Sequence, residues 1–213
     1  MALSKFKPAS FDLTDNYAFT GTTTGVGVDT NQLVLIKTLT ADNSATTLTF
    51  ANGASDVVLD GTYKTYLFKL INMQPATDTA DLQVNFRDGG TAYDSLKTTS
   101  YFEVYHNEAD GTTGLGYVAG LDIAQGTGFQ TIHRYVGNGA DECSVGEMYL
   151  FNPSSTTFVK HFQSVGHDYT ANDYTNSIRV AGYCNVTAAI DGVQFKSASG
   201  NIKAGTIKLY GIL

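Results

Sequence analysis

Tryptophan is absent from this chain of 213 residues, proline occurs three times and cysteine twice. Charged residues make up 15%, against about a quarter in an average globular protein. Each scarcity removes a class. Two cysteines, Cys143 and Cys184, cannot build a disulfide framework. Cys184 falls in phase with Ile178 and Val180 in "SIRVAGYC", which predicts a buried free thiol. No run of Lys or Arg interrupts a net charge of −7, so a nucleic-acid binder, which needs a basic face, is not expected. No apolar stretch approaches the ~20 residues that span a bilayer, so no membrane insertion is expected. The opening "MALSKFKPASFDLTDNY" has no apolar core of a signal peptide, and the expectation is a protein made in a cytoplasm. A helical apolar period is missing throughout.

What remains is a β palette. Apolar residues reach 42%, with 13 Tyr, 12 Phe and 22 Gly. Aromatic and β-branched side chains fit a pleated surface, and glycine supplies the positive φ of turns. Residues 1–30 show no sustained period, and the Gly-punctuated "FTGTTTGVGVDT" predicts an extended N-terminal arm. From 31 to 213 short alternating runs follow one another, separated by turn residues. They are "QLVLIKTL", "TTLTF", "YKTYLFKLINM", "LQVNF", "YFEVYH", "LGYVAGLDI", "FQTIHRYV", "SVGEMYLF", "TTFVKHFQSV", "SIRVAGYCNV", "GVQFKS" and "GTIKLYGI". "YKTYLFKLINM" is apolar on both faces, as a strand between layers would be. "LQVNF" puts Leu82, Val84 and Phe86 inward and Gln83, Asn85 and Arg87 outward, and "YFEVYH" alternates likewise. About ten evenly spaced strands without helix or fixed repeat predict one all-β domain, a sandwich or barrel.

The stretch "LINMQPATDTADLQVNFRDGGTAYD" concentrates Asp78, Asp81, Asp88 and Asp94. Asp88-Gly89-Gly90 directly after an alternating strand is a hairpin signal, and "QPATDTA" is a loop. Asp78 and Asp81 lie at one end of a strand and Asp88 at the other, roughly 16 Å apart, too far to share one cation. These aspartates are turn punctuation, and no metal is expected there. The histidines His106, His133, His161 and His167 scatter over different strands and loops, with a strand end expected between His161 and His167, so no zinc site is expected. G-x-S-x-G, H-E-x-x-H, Walker and C-x-x-C patterns are all absent. "YFEVYHNEADG" brings Glu103, His106, Glu108 and Asp110 together, but Glu103 points away from His106 while Glu108 and Asp110 precede Gly111 as turn residues. No catalytic residue and no cofactor is expected.

Aromatics mixed with polar residues are more suggestive, in "YFEVY", "RDGGTAYD" and above all "HDYTANDYTNS". There His167, Tyr169, Asn172, Asp173 and Tyr174 form a candidate contact loop, since Tyr with Asn and Asp suits adaptable contact with sugar or protein. A loop that only solvates a strand crossing would have the same composition.

Four stretches taken together carry a resemblance: "ALSKFKPASFDLTDNYAFTGTTTG", "YLFKLINMQPATDTADLQVNFRDGGTAYD", "LFNPSSTTFVKHFQS" and "FKSASGNIKAGTIKLYGIL". They resemble virion structural proteins of marine bacteriophages, found in tail fibres, appendages and capsid decorations. The resemblance implies a jelly-roll-like antiparallel β-sandwich, homo-oligomers (commonly trimers) on the virion, contacts with other capsid or tail proteins, and assembly in a host cytoplasm. It brings no shared catalytic motif. The chain departs from long fibres in having no shaft or coiled coil, which favours a small appended or decorating subunit. In that setting Phe6, Phe11, Tyr17 and Phe19 of the arm are candidate anchors on a neighbouring subunit or on the particle. Three functional expectations follow: a non-enzymatic virion subunit, a module recognising host-surface glycan through loops such as 167–176, and a polysaccharide-degrading enzyme using Glu103 or Glu108.

Overall fold

The computed structural model describes residues 33–213, all strands and turns with no helix among them. The candidate anchors Phe6, Phe11, Tyr17 and Phe19 lie outside the described residues. Four strands open the chain, β1 (Leu33–Ala41), β2 (Thr47–Ala51), β3 (Thr65–Pro75) and β4 (Ala80–Arg87). Four follow, β5 (Lys97–Asn107), β6 (Thr113–Tyr117), β7 (Gln130–Val136) and β8 (Ser144–Phe151). The last are β9 (Lys160–Tyr169), β10 (Tyr174–Cys184), β11 (Gly192–Ser197) and β12 (Ile202–Ile212).

They form two antiparallel sheets, ordered β1-β12-β3-β8-β9-β10-β5-β6 and β2-β11-β4-β7. Setting β5, β6, β9 and β10 aside, first pairs with last, second with seventh, third with sixth and fourth with fifth: β1–β12, β2–β11, β3–β8 and β4–β7. That nesting is one long hairpin rolled over itself, the jelly roll. The two remaining strand pairs are insertions. β5–β6 enters between β4 and β7, β9–β10 between β8 and β11, and both lengthen the larger sheet beyond β8.

The core lies where the sheets overlap. Phe68 of β3 meets Phe50 of β2 and Phe195 of β11 at ring-centroid distances of 5.4 and 5.5 Å, and Phe86 of β4 lies 4.7 Å from Phe162 of β9. Such edge and tilted aromatic pairs add to the burial energy that holds the layers together. Two lysines are fully buried in this charge-poor chain. Lys97 Nζ donates to the carbonyls of Ser95 (2.9 Å) and Gly128 (2.7 Å), and burial pushes its pKa down to about 8. Lys160 Nζ donates to those of Val186 (3.1 Å) and Ala188, so each lysine ties a loop to the larger sheet. Cys184 pairs with both lysines in register as a free, fully buried thiol, and burial pushes its pKa up to about 11. Cys143 is also free.

Several expectations need correction. Asp88-Gly89 makes a turn, with φ of 104° at Gly89 and 67° at Gly90, but no hairpin: the chain leaves β4 in the small sheet and enters β5 in the large one. A local turn signal sets a reversal and does not choose the partner. "LGYVAGLDI" is a strand only as far as Tyr117, and "TTFVKHFQSV" only from Lys160. His161 and His167 lie on one unbroken strand, β9. Asn85 faces away from the sandwich as expected yet is fully buried, because its Nδ2 donates 2.9 Å to the carbonyl of Thr127 in a covering loop. The 167–176 stretch is not a loop but the β9–β10 hairpin, with only 170–173 in its turn.

Candidate functional site

β7 is an edge of the small sheet and packs over β9 and, less fully, β10. Beyond it the upper part of β5 and β10 projects without a second sheet above it. The overhang makes a cleft of about 660 Å³, within the ~300–1,000 Å³ usual for small-molecule sites. Its floor is the inner face of β5 and β10, with Glu103, Tyr105, Tyr174 and Asn176. Its wall is Arg134 and Tyr135 of β7, and its rim comes from the two neighbouring hairpin turns.

β5 explains why these residues meet. It alternates as expected, but Tyr101 and Glu103 face inward while Phe102 and Val104 are exposed. The inner face is polar there because it looks into a cleft instead of a core. Tyr105 lies against Gly114 of β6, where any Cβ would come within 2.5 Å of the ring, so glycine makes room for it. Its ring centroid is 5.9 Å from that of Tyr174 at an interplanar angle of 65°.

Arg134 governs the wall. Its Nη1 donates 2.6 Å to Glu103 Oε1, its Nη2 donates 2.9 Å to the Tyr135 hydroxyl, and its guanidinium sits 4.3 Å from the Tyr135 ring centroid. Glu103 is 8% and Arg134 21% exposed at the side chain, so water screens the pair weakly. Tyr135 has φ of 55°, a left-handed conformation that costs a side-chain-bearing residue roughly 1–2 kcal/mol. Its amide donates 3.0 Å to Asp81 Oδ1 and its carbonyl accepts from Ala171 at 3.2 Å, and these bonds hold the kink.

Beneath the wall lies a buried polar knot. Asp168 of β9 is wholly buried and accepts from His133 Nδ1 and, at 2.8 Å, from the Arg134 amide. That bond sets the Nδ1–H tautomer of His133. The His133 ring occupies the gap left by Gly146 and Gly166, where a Cβ would come within 3.1 and 2.5 Å of its Cε1. Four buried side-chain atoms have no protein partner among the described residues, three of them here, His133 Nε2, the Tyr101 hydroxyl and Asn176 Oδ1, and the fourth Ser95 Oγ. Burial drives the Tyr101 phenol pKa far upward, so it stays a neutral donor.

Asp81 is pushed above the ordinary carboxylate value, chiefly by burial. In the window between its ordinary value of 3.8 and its folded value the unfolded chain has already released the proton, so this group's contribution to stability falls as pH rises. Asp81→Asn keeps acceptance from the Tyr135 amide and can donate to Thr131 Oγ1, now 3.3 Å from the carboxylate. The variant is expected to be the more stable protein at pH 7, with the difference closing towards pH 4. Urea midpoints measured across that range check this.

The structure divides the five candidate contact residues. Asn172 and Tyr174 line the cleft. His167, on the outer face of β9, bonds Thr175 Oγ1 at 2.7 Å, and the Tyr169 hydroxyl donates 3.4 Å to Asp173 at the hairpin tip. His167 and Tyr169 border a second, smaller depression of about 350 Å³. Tyr105 came from the aromatic stretch "YFEVY", but nothing local marked Arg134 or Tyr135, which function together only because the small sheet ends at β7. Among the described residues no three metal-ligating side chains converge, and no helix is long and apolar enough to cross a membrane.

Fold and site together define a jelly-roll β-sandwich with an open, tyrosine-lined cleft. No protein-family model matches the chain, and neither a curated protein nor a solved structure matches it.

Proposed function

We propose that the chain is a non-enzymatic bacteriophage virion subunit, mounted on the particle as part of the tail or fibre apparatus or as a capsid decoration, and that it works as a homo-oligomer. The virion role rests on the resemblance of the four quoted stretches, and the observation that supports the homo-oligomer is the outer face of the larger sheet at its β6 end. Leu115 (75% exposed), Val104, Tyr117 and Phe102 lie open side by side on β6 and β5, and exposed Ser177 and Arg179 of β10 bound this patch on the side of β9. Isolated exposed apolar residues are ordinary, while a contiguous set marks an interface.

β6 is also the last strand of its sheet and carries neither charge nor proline to block further pairing. Its sequence Thr-Gly-Leu-Gly-Tyr is nearly symmetric about Leu115, so an antiparallel copy of itself would set Leu115 opposite Leu115 and glycine opposite glycine. A second copy of this chain is therefore the occupant that fits. Leu115→Lys is expected to lower the mass found by light scattering to that of one chain. An unchanged oligomer would remove β6 from the interface. Cryo-electron microscopy of the parent particle tests the virion role, by density for this sandwich on the capsid lattice or at the tail.

The cleft favours a second, compatible role in recognising host-surface glycan. Tyrosines beside amides and hydroxyls are the mixture that holds sugar rings and their hydroxyls. The cleft is lined by one carboxylate, Glu103, already engaged by Arg134, whereas glycoside hydrolysis uses two across the bond. A glycan array probed with the full chain tests recognition.

A further inference from the structure

We propose that the cleft takes a neutral, hydroxyl-rich oligosaccharide and rejects glycans bearing uronate or sulfate groups. The inference rests on the recognition role above and concerns the class of sugar.

Charge decides the class. Arg134 is the one cation lining the cleft. Glu103 at 2.6 Å neutralises it and the Tyr135 ring covers it, so no free positive charge faces a ligand. The acids of the neighbouring turns face the other way: Glu108 borders the outer depression, Asp110 pairs with His106 at 3.0 Å, and Asp173 accepts from the Tyr169 hydroxyl. The Glu108 amide donates 2.9 Å to the Asp173 carbonyl, which holds the two turns together. An anionic sugar entering a chain of net charge −7 would find no free cation in the cleft to pair with. Displacing Glu103 to free Arg134 would leave a nearly buried carboxylate unpaired.

The uncharged groups suit alcohols. Asn107 Oδ1 accepts from the amides of Gly111 (2.9 Å) and Thr112 (2.8 Å), fixing the carboxamide and leaving its Nδ2 without an acceptor among the described residues. Asn176, 4% exposed in the floor, has a carboxamide oxygen with no donor. Its terminal torsion is soft, so a turn towards the cleft can present that oxygen, and a hydroxyl is the donor it lacks. A carboxylate or sulfate ester brings acceptors alone. Tyr105, backed by Gly114, offers a ring supported from behind, with Tyr174 edge-on beside it. The C–H face of a pyranose packs against such a surface without needing charge.

Titration calorimetry of the full chain tests this with neutral hexose and N-acetylhexosamine oligosaccharides beside oligouronates and sulfated oligosaccharides. The neutral sugars are expected to bind, with an affinity that a tenfold rise in salt leaves unchanged. Tyr105→Ala and Tyr174→Ala should each weaken binding by about tenfold or more at unchanged melting temperature. Tyr174→Phe, which keeps the ring, should retain most of the affinity, and serves if an alanine variant fails to fold. Preference for acidic sugars, with affinity lost in salt, overturns the inference and leaves recognition standing. Neutral binding indifferent to both tyrosines also overturns it, by placing the sugar elsewhere. If no sugar of any class binds the folded chain, recognition itself falls.

Discussion

Asp168→Ala is expected to destabilise the protein by about 3–5 kcal/mol, a large share of the ~5–15 kcal/mol that holds a typical domain folded. The Asp168 side chain is fully buried and both of its oxygens are engaged. Its removal strands two donors at once, His133 Nδ1 in a ring with no exposure and the amide of Arg134. Neither can reach water without opening the contact between β7 and β9. Asp168→Asn should fall between wild type and alanine. The carboxamide oxygen can still take the Arg134 amide, but its NH2 meets His133 Nδ1 only if the imidazole adopts the other tautomer. That change leaves a buried Nε2–H with no acceptor, since Nε2 has no partner even now. Urea unfolding gives the test, the midpoint falling in the order wild type, asparagine, alanine with an unchanged slope. Equal midpoints for alanine and wild type would mean that the knot is not what joins the two sheets.

The strands were the most legible part of the chain, for local reasons. "SVGEMYLF" and "GVQFKS" coincide with β8 and β11 because each is short, alternating and bounded by turn residues. Sheet membership was not legible. Asp88-Gly89 has the chemistry of a tight turn, and the choice of β10 over β4 as the partner of β5 depends on residues almost ninety positions downstream. The cleft was half legible. Asn172 and Tyr174 stood out by composition, and their stretch passed for a loop because its outward and cleft-facing residues are both polar. On β5 the usual sign is reversed: exposed Phe102 and Val104 look like core, while Glu103 on the inner face looks like surface. A pattern of apolar residues finds a core. It cannot find a place where one sheet outreaches the other, and Arg134 and Tyr135 owe their position to that mismatch alone.

Arg134→Met is expected to cost about 2–3 kcal/mol, somewhat below the ~3–5 kcal/mol of a fully buried pair because Arg134 keeps 21% exposure. Most of that cost is Glu103 left charged and 8% exposed with only a 3.5 Å contact from Asn176 Nδ2. Glu103→Gln should be milder, at about 1 kcal/mol, since a neutral oxygen still accepts from the guanidinium. The double variant Glu103→Gln, Arg134→Met should cost less than the sum of the two single changes by at least ~1 kcal/mol, because neither partner is then left charged and alone. Additive effects would mean that the two residues act independently despite the 2.6 Å between them. The same cycle bears on the ligand. If Arg134 serves the wall through its bond to Glu103 and its cover of Tyr135, the double variant keeps a neutral wall of similar volume and should retain neutral-sugar binding. An arginine that met the ligand directly would lose it in both Arg134 variants alike, and rescue by the second substitution is therefore the readout that separates support of the cleft from contact within it.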